Sequence, residues 1–182
     1  MRTPEHVIEL CLFRRSLFIR AAAGGIMPPT NVEVKMPKAV PDGYHTLTPY
    51  LTVPDGERML HFLQQVFGAK LIERHNRPDG TLQHAELQLG DSKLMVGQAN
   101  QQFTPRPLTT YVYLPDVDVV YKRAIDAGAK SLMPVVDQYY GDRSGGFEDA
   151  DGNWWWVATR IENLSHEEIQ RRGQAQASLQ AK

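Results

Sequence analysis

"VPDGERMLHFLQQVFGAK", Val53 to Lys70, decides the fold. Pro54 and Asp55 punctuate its start. A short carboxylate at Asp55 is suited to cap the free N–H groups of a first helical turn. Met59, Phe62, Leu63 and Val66 follow at i, i+3, i+4 and i+7, which makes one apolar helical face. Gly68 then supplies a left-handed stop. The chain says the same thing a second time. "LPDVDVVYKRAIDAGAK", Leu114 to Lys130, repeats the Pro-Asp opening, carries Val117, Val120, Tyr121 and Ala124 on one face, and ends in Gly128. The openings are offset by 61 residues (53 to 114) and the glycine stops by 60 (68 to 128). Two helices with matching punctuation at a near-constant spacing indicate an internal duplication.

The flanks of each helix agree. "YHTLTPYLTV", Tyr44 to Val53, alternates and is rich in β-formers, so it is read as a strand. "KLIERHN", "TLQHAELQLG" and "SKLMVGQ" are three more strands, joined by the turn "RPDG" and a tight Gly90-Asp91 connection. In the second half "TTYVYL", "SLMPVVDQ", "GDRSGGFED" and "NWWWVATR" take the same places. Each half is therefore βαβββ, at about residues 44–98 and 108–160. The fold class is α+β: two tandem βαβββ modules forming a cupped mixed β-sheet with outer helices. A tail, 161–182, opens with Ser165 and Glu168 spaced as a capping box, then frays over "QAQASLQAK".

The first 43 residues read as an extended or disordered extension. Arg14 and Arg15 interrupt the apolar run that a signal peptide needs, and Glu5 and Glu9 count against a transit peptide. Met27 is an alternative start. Composition narrows the function classes. Net charge is -1 and the basic residues are scattered, which disfavours nucleic-acid and anionic-membrane partners. Cys11 is the single cysteine, so an intrachain disulfide and a Cys-based zinc site are excluded. No P-loop, dinucleotide glycine fingerprint or G-x-S-x-G elbow is present. A cytoplasmic small-molecule protein is the expectation.

The doubled βαβββ pattern, the Pro-Asp before each helix and "DADGN" before the last strand resemble the vicinal oxygen chelate superfamily. That group includes glyoxalase I, bleomycin-resistance proteins, fosfomycin-resistance enzymes and extradiol dioxygenases. The resemblance covers Tyr44 to Arg160. It implies that the two modules make one cup around a small-molecule cavity, that the helices lie outside, and that the protein is a homodimer. In metal-using members, ligands come from the first and last strand of each module. Carried onto this chain, those positions fall on Thr48, Met95, Thr109 and Trp156. Thr, Met and Trp are poor ligands for a hard or borderline divalent ion. No cofactor is therefore expected, and a divalent metal only through a non-standard site.

Strand alternation picks out the cup-facing side chains. Thr48, Tyr50 and Thr52 face the cup, with Leu47, Pro49, Leu51 and Val53 toward the helix. Tyr111, Tyr113, Trp154 and Trp156 face it in the second module, with Trp155 and Val157 turned to the helices. The tryptophans are either core filling or an aromatic wall for an apolar or cationic ligand. His84 and Glu86, two apart on one strand face with Gln88, are candidate acid/base groups or non-standard metal ligands. The alternative for them is a solvated strand face. Asp142 and Arg143, in "YYGDRSGG", are read as a gate or as binders of an anionic group, the alternative being a turn with a local surface ion pair. His45 is a further candidate. The substrate-binding set is thus Thr48, Tyr50, Tyr111, Tyr113, Arg143, Trp154 and Trp156. Two functions follow: a metal-independent binding or sequestering protein, or a lyase- or isomerase-type enzyme using His84 and Glu86. A third reading is a duplicated scaffold whose cup is filled by its own side chains.

Overall fold

The computed structural model describes residues 38–180. Cys11, Met27 and most of the expected N-terminal extension lie outside the described residues. The elements are β1 (Tyr50–Val53), α1 (Gly56–Phe67), β2 (Lys70–Asn76), β3 (Leu82–Leu89), β4 (Ser92–Gln98), β5 (Thr109–Tyr113), α2 (Val117–Asp126), β6 (Lys130–Asp137), β7 (Asp142–Glu148), β8 (Trp154–Arg160) and α3 (His166–Gln180). They form two four-stranded mixed sheets, ordered β1-β4-β3-β2 and β5-β8-β7-β6. The first strand of each module runs parallel to the last, and the other pairs are antiparallel. The duplication is therefore one of topology as well as sequence.

The punctuation acts as its chemistry requires. Asp55 accepts from the Arg58 amide at 3.1 Å, and Asp116 accepts from the Val119 amide at 3.1 Å. Gly68 ends α1 at φ 66°, a conformation that a side chain would strain. Pro134 lies in β6, an edge strand, inside an irregular stretch of register where its missing N–H breaks no regular ladder.

Both helices bury one face, on one shared core. Met59, Leu60, Leu63 and Val66 of α1 pack with Leu51, Val53, Leu87 and Val96, and Val117, Val120 and Ala124 of α2 join Phe147, Trp155 and Val157 in the same cluster. Phe67 couples the modules: its ring lies 5.0 Å from Trp155 and 6.2 Å from Phe147. Fully burying a side chain such as Leu63 is worth ~1.5–3 kcal/mol.

Two boundaries differ from the sequence reading. The first strand starts at Tyr50, not Tyr44. Thr48 Oγ1 donates to the His45 carbonyl three residues back, and this local bend breaks the alternation. Leu47, expected against the helix, is consequently exposed. At the other end, Ser165 Oγ does accept from the Glu168 amide, but α3 runs on to Gln180 instead of fraying. Arg172 bridges Glu162 and Glu168 at its base, at 2.9 and 2.7 Å. No helix among the described residues is long and apolar enough to cross a membrane.

Candidate functional site: two cup faces of different chemistry

Trp154, Trp155 and Trp156 divide between the two faces of β8. Trp155 is 1% exposed and is core. Its Nε1 donates to Asp149 Oδ2 at 2.9 Å. Trp154 is 44% exposed, and its Nε1 donates to Glu148 at 3.0 Å. Trp156 lies across Gly146, where a Cβ would sit 2.6 Å from its ring. Tyr111 pairs in register with Trp156, and Tyr113 with Ala158. Tyr111 and Tyr113 are exposed, with ring centroids 5.3 Å apart. Trp154, Trp156, Tyr111 and Tyr113 thus share one aromatic face.

The acidic turn before β8 has a structural task that the sequence reading missed. Asp149 is buried. Its carboxylate accepts from the amides of Asp151 and Asn153, from Asn153 Nδ2 and from Trp155 Nε1. Asn153 Oδ1 in turn accepts from the Leu108 amide at 2.9 Å, which fixes the start of β5. Asp151 pairs with Arg58 of α1 across the modules. Burial still holds the Asp151 carboxyl above its usual range, with Arg58 pulling the other way.

The first module's cup face is charged. Tyr50 lies over Gly97, and its hydroxyl is 3.3 Å from His84 Nδ1. His84 Nε2 is 3.6 Å from Glu86 Oε1, and Lys93 Nζ is 3.8 Å from Glu86 Oε2. Lys93 also sits 4.0 Å above the Tyr44 ring. Interaction with the Tyr44 phenol is the main cause holding the Glu86 carboxyl below its usual range, with His84 and Lys93 adding to it against burial. The same interaction raises the Tyr44 phenol to about 12. His75, bonded to Glu73 at 2.7 Å, stacks toward His84 with centroids 6.4 Å apart. A cleft of about 630 Å³ opens here, lined by Tyr44, Thr48, Glu73, Glu86, Lys93 and Met95.

The structure brings His84, Glu86 and Tyr50 together as read from alternation, with Thr48 at the rim of the cleft. Tyr44 and Lys93 complete the network and were not singled out; Lys93 alternates onto the same face as Met95 and was legible in principle. His45 instead tethers the β3–β4 turn through the Asp91 carbonyl, 3.2 Å away. Arg143 is a correction. It points away from the cup, to Asp118 of α2 at 2.7 Å and Asp137 at 2.8 Å, so it is not in the ligand set. Its neighbour Asp142 alternates onto the cup face. There a second cleft, of about 490 Å³, is lined by Tyr111, Tyr113, Tyr140, Asp142, Arg160 and Ile169. The two cup faces thus carry separate clefts, and a further cleft of about 530 Å³ is lined by residues of both modules, among them Leu47, Lys93, Tyr111 and Tyr113.

The positions where metal-using relatives place ligands do not suit a metal here. Met95 and Trp156 occupy equivalent register positions, opposite Tyr50 and Tyr111. An indole has no lone pair to offer a cation. Among the described residues, no group of three or more His, Cys, Asp or Glu side chains is arranged to hold a metal ion.

Comparison with known proteins agrees with the architecture. The family model described as glyoxalase/bleomycin resistance protein/dioxygenase superfamily matches residues 44–157. The chain belongs to that superfamily. A Mycobacterium tuberculosis protein, Rv0887c, described as uncharacterized, is 30% identical over 135 residues, covering 68% of this chain and 79% of the relative. The crystal structure of TioX from Micromonospora sp. ML1 superposes with a TM-score of 0.56 at 27% identity, covering 63% of this chain and 98% of TioX. TnmS3 of Streptomyces sp. CB03234, an antibiotic binding protein, shares the fold with a TM-score of 0.52 at 20% identity, covering 64% and 95%. Superfamily membership leaves the chemistry to be argued from this chain's own side chains.

Proposed function

We propose that this chain is a metal-independent small-molecule binding protein, whose ligand lies on the aromatic cup face of the second module. One observation carries the reading: Trp154, Tyr111 and Tyr113 stand exposed on a single sheet face with Trp156 beside them. Exposed flat aromatic surface of that kind is suited to stacking a planar ligand. The unsuitable residues at the superfamily's ligand positions favour binding without a metal. TnmS3, an antibiotic binding protein, is an instance of the same fold serving a binding task. The exposed aromatic face also fits a homodimer, in which a second copy covers the cup.

The test is a titration with 1-naphthylmethanol, followed by backbone-amide NMR shifts. Saturable shifts at β5 and β8, weakened in Trp154→Ala or Trp156→Ala, are expected, with the probe recovered unchanged. No saturable shift with this or other planar probes would sink the reading. Light scattering on the purified chain tests the dimer.

The first module's network supports a second reading. Tyr50, His84, Glu86 and Tyr44 form a continuous chain of titratable groups beside a cleft, as a lyase- or isomerase-type proton transfer needs. On that reading His84→Ala and Glu86→Ala keep ligand affinity and abolish turnover.

A further inference from the structure

We propose that the tyrosine-lined cleft of the second module takes the ammonium group of a protonated amine, with Asp142 as its counter-ion. The inference rests on the reading of that face as a ligand site and names the chemistry the site selects.

The reason is an under-compensated carboxylate. Asp142 is 1% exposed. An ionised carboxylate has about four acceptor positions, and burial makes each unfilled one costly. Only Oδ2 has a well-formed bond, from the Tyr113 hydroxyl at 2.9 Å. Arg160 Nε comes within 2.6 Å of Oδ1 but off the N–H direction, so Oδ1 has no aligned hydrogen bond. Arg160 is itself 45% exposed in its side chain, and its one other polar contact among the described residues, to the Tyr140 carbonyl, is at 3.5 Å. Arg160 is thus a close but misaligned partner of a buried anion, and a ligand cation that aims its N–H at Oδ1 can replace it.

The surroundings favour a cation over a neutral donor. Tyr111, Tyr113 and Tyr140 line the cleft beside Asp142. Phenol rings present negative faces to a cation within stacking distance. Burial, with Tyr140 beside it, raises the Tyr111 phenol above its ordinary range. An ammonium on a flat ring can then meet Oδ1 while its ring lies among Tyr111, Tyr113 and Tyr140.

The test uses three probes with one ring system: 1-naphthylmethylammonium, 1-naphthylmethanol and 1-naphthoate, each titrated into the full chain at pH 7. The ammonium should bind about tenfold more tightly than the other two, from cation–π and charge-assisted bonding together. Asp142→Asn should erase the preference. Arg160→Gln, on a half-exposed side chain, should tighten ammonium binding by removing its competitor, and it decides the matter if Asp142→Asn does not fold. Unchanged or weaker ammonium binding in Arg160→Gln overturns the proposal, as does a preference for 1-naphthoate, which would make Arg160 the recognition group. Equal binding of all three probes sinks the amine preference alone. Binding of none sinks the aromatic-face reading with it.

Discussion

The two modules share a topology and a register yet present opposite chemistry to the cup. At equivalent positions the first has Tyr50 beside Met95 and the second Tyr111 beside Trp156. The next strand explains the divergence. Glu86 faces Met95, whereas Gly146 faces Trp156. A carboxylate at that position gathers Tyr44, His84 and Lys93 around it. A glycine leaves a bare strip of backbone, and an indole lies down on it. One residue per module sets whether the face becomes a charged network or an aromatic surface, while the helix-facing residues, Leu51 and Val53 or Trp155 and Val157, stay apolar in both.

The turns differ as much as the faces, and here the largest effect is expected. The β3–β4 connection is a tight turn at Gly90-Asp91, with Asp91 exposed. The β7–β8 connection is built on buried Asp149. Asp149→Ala strands Trp155 Nε1 and the Asn153 side chain, and should cost ~3 kcal/mol, as removing the charged partner of buried donors does. Asp91→Ala should stay within ~0.5 kcal/mol. Urea denaturation of both variants measures the contrast; equal losses would break it.

Much of this division could be read in advance, and for a physical reason. Helix caps, glycine stops and strand alternation are local signals, so Asp55, Asp116, Gly68 and the two faces of β8 were legible. The unread features come from chain closure. The Asp149 carboxylate works through a network that reaches Leu108, and Tyr44 meets Glu86 from a segment that forms no strand. Arg143 was misassigned because "GDRSGGFED", although placed as a strand, was read as a flexible polar loop at Asp142 and Arg143 and not by alternation. Once β7 is a strand, neighbouring Asp142 and Arg143 must face opposite ways.

Glycine substitutions probe the faces directly. In Gly146→Ala the new Cβ meets the rigid Trp156 ring at 2.6 Å, and in Gly97→Ala it meets the Tyr50 hydroxyl at 2.5 Å. An indole held on the sheet yields less readily than the tip of an exposed tyrosine. Gly146→Ala should cost ~1–3 kcal/mol and shift the tryptophan emission, and Gly97→Ala less. The reverse order would show that the aromatic face, not the charged one, is the adaptable side.

A smaller effect sharpens the charged face. The Tyr44 phenol, with His84 and Lys93, favours ionised Glu86, so its folded-state pKa lies below the unfolded one. The stabilisation it gives is complete above the usual carboxylate range and fades as pH falls through the lowered value. Tyr44→Phe should raise the Glu86 pKa, read by carbon NMR, and flatten the acid limb of stability. An unmoved Glu86 would assign its depression to His84 and Lys93 instead.

The smallest effect is expected at Arg143. Its guanidinium is divided between Asp118 and Asp137, both well exposed, where screening leaves little net stabilisation. Arg143→Ala should leave the unfolding midpoint and probe binding unchanged. Its neighbour Asp142 is the contrasting case: one step along β7 turns the side chain from solvent-screened partners to a buried face with a single aligned bond. A loss of probe binding in Arg143→Ala, with Asp142→Asn silent, would mean that the binding face of the second module is the one turned toward α2.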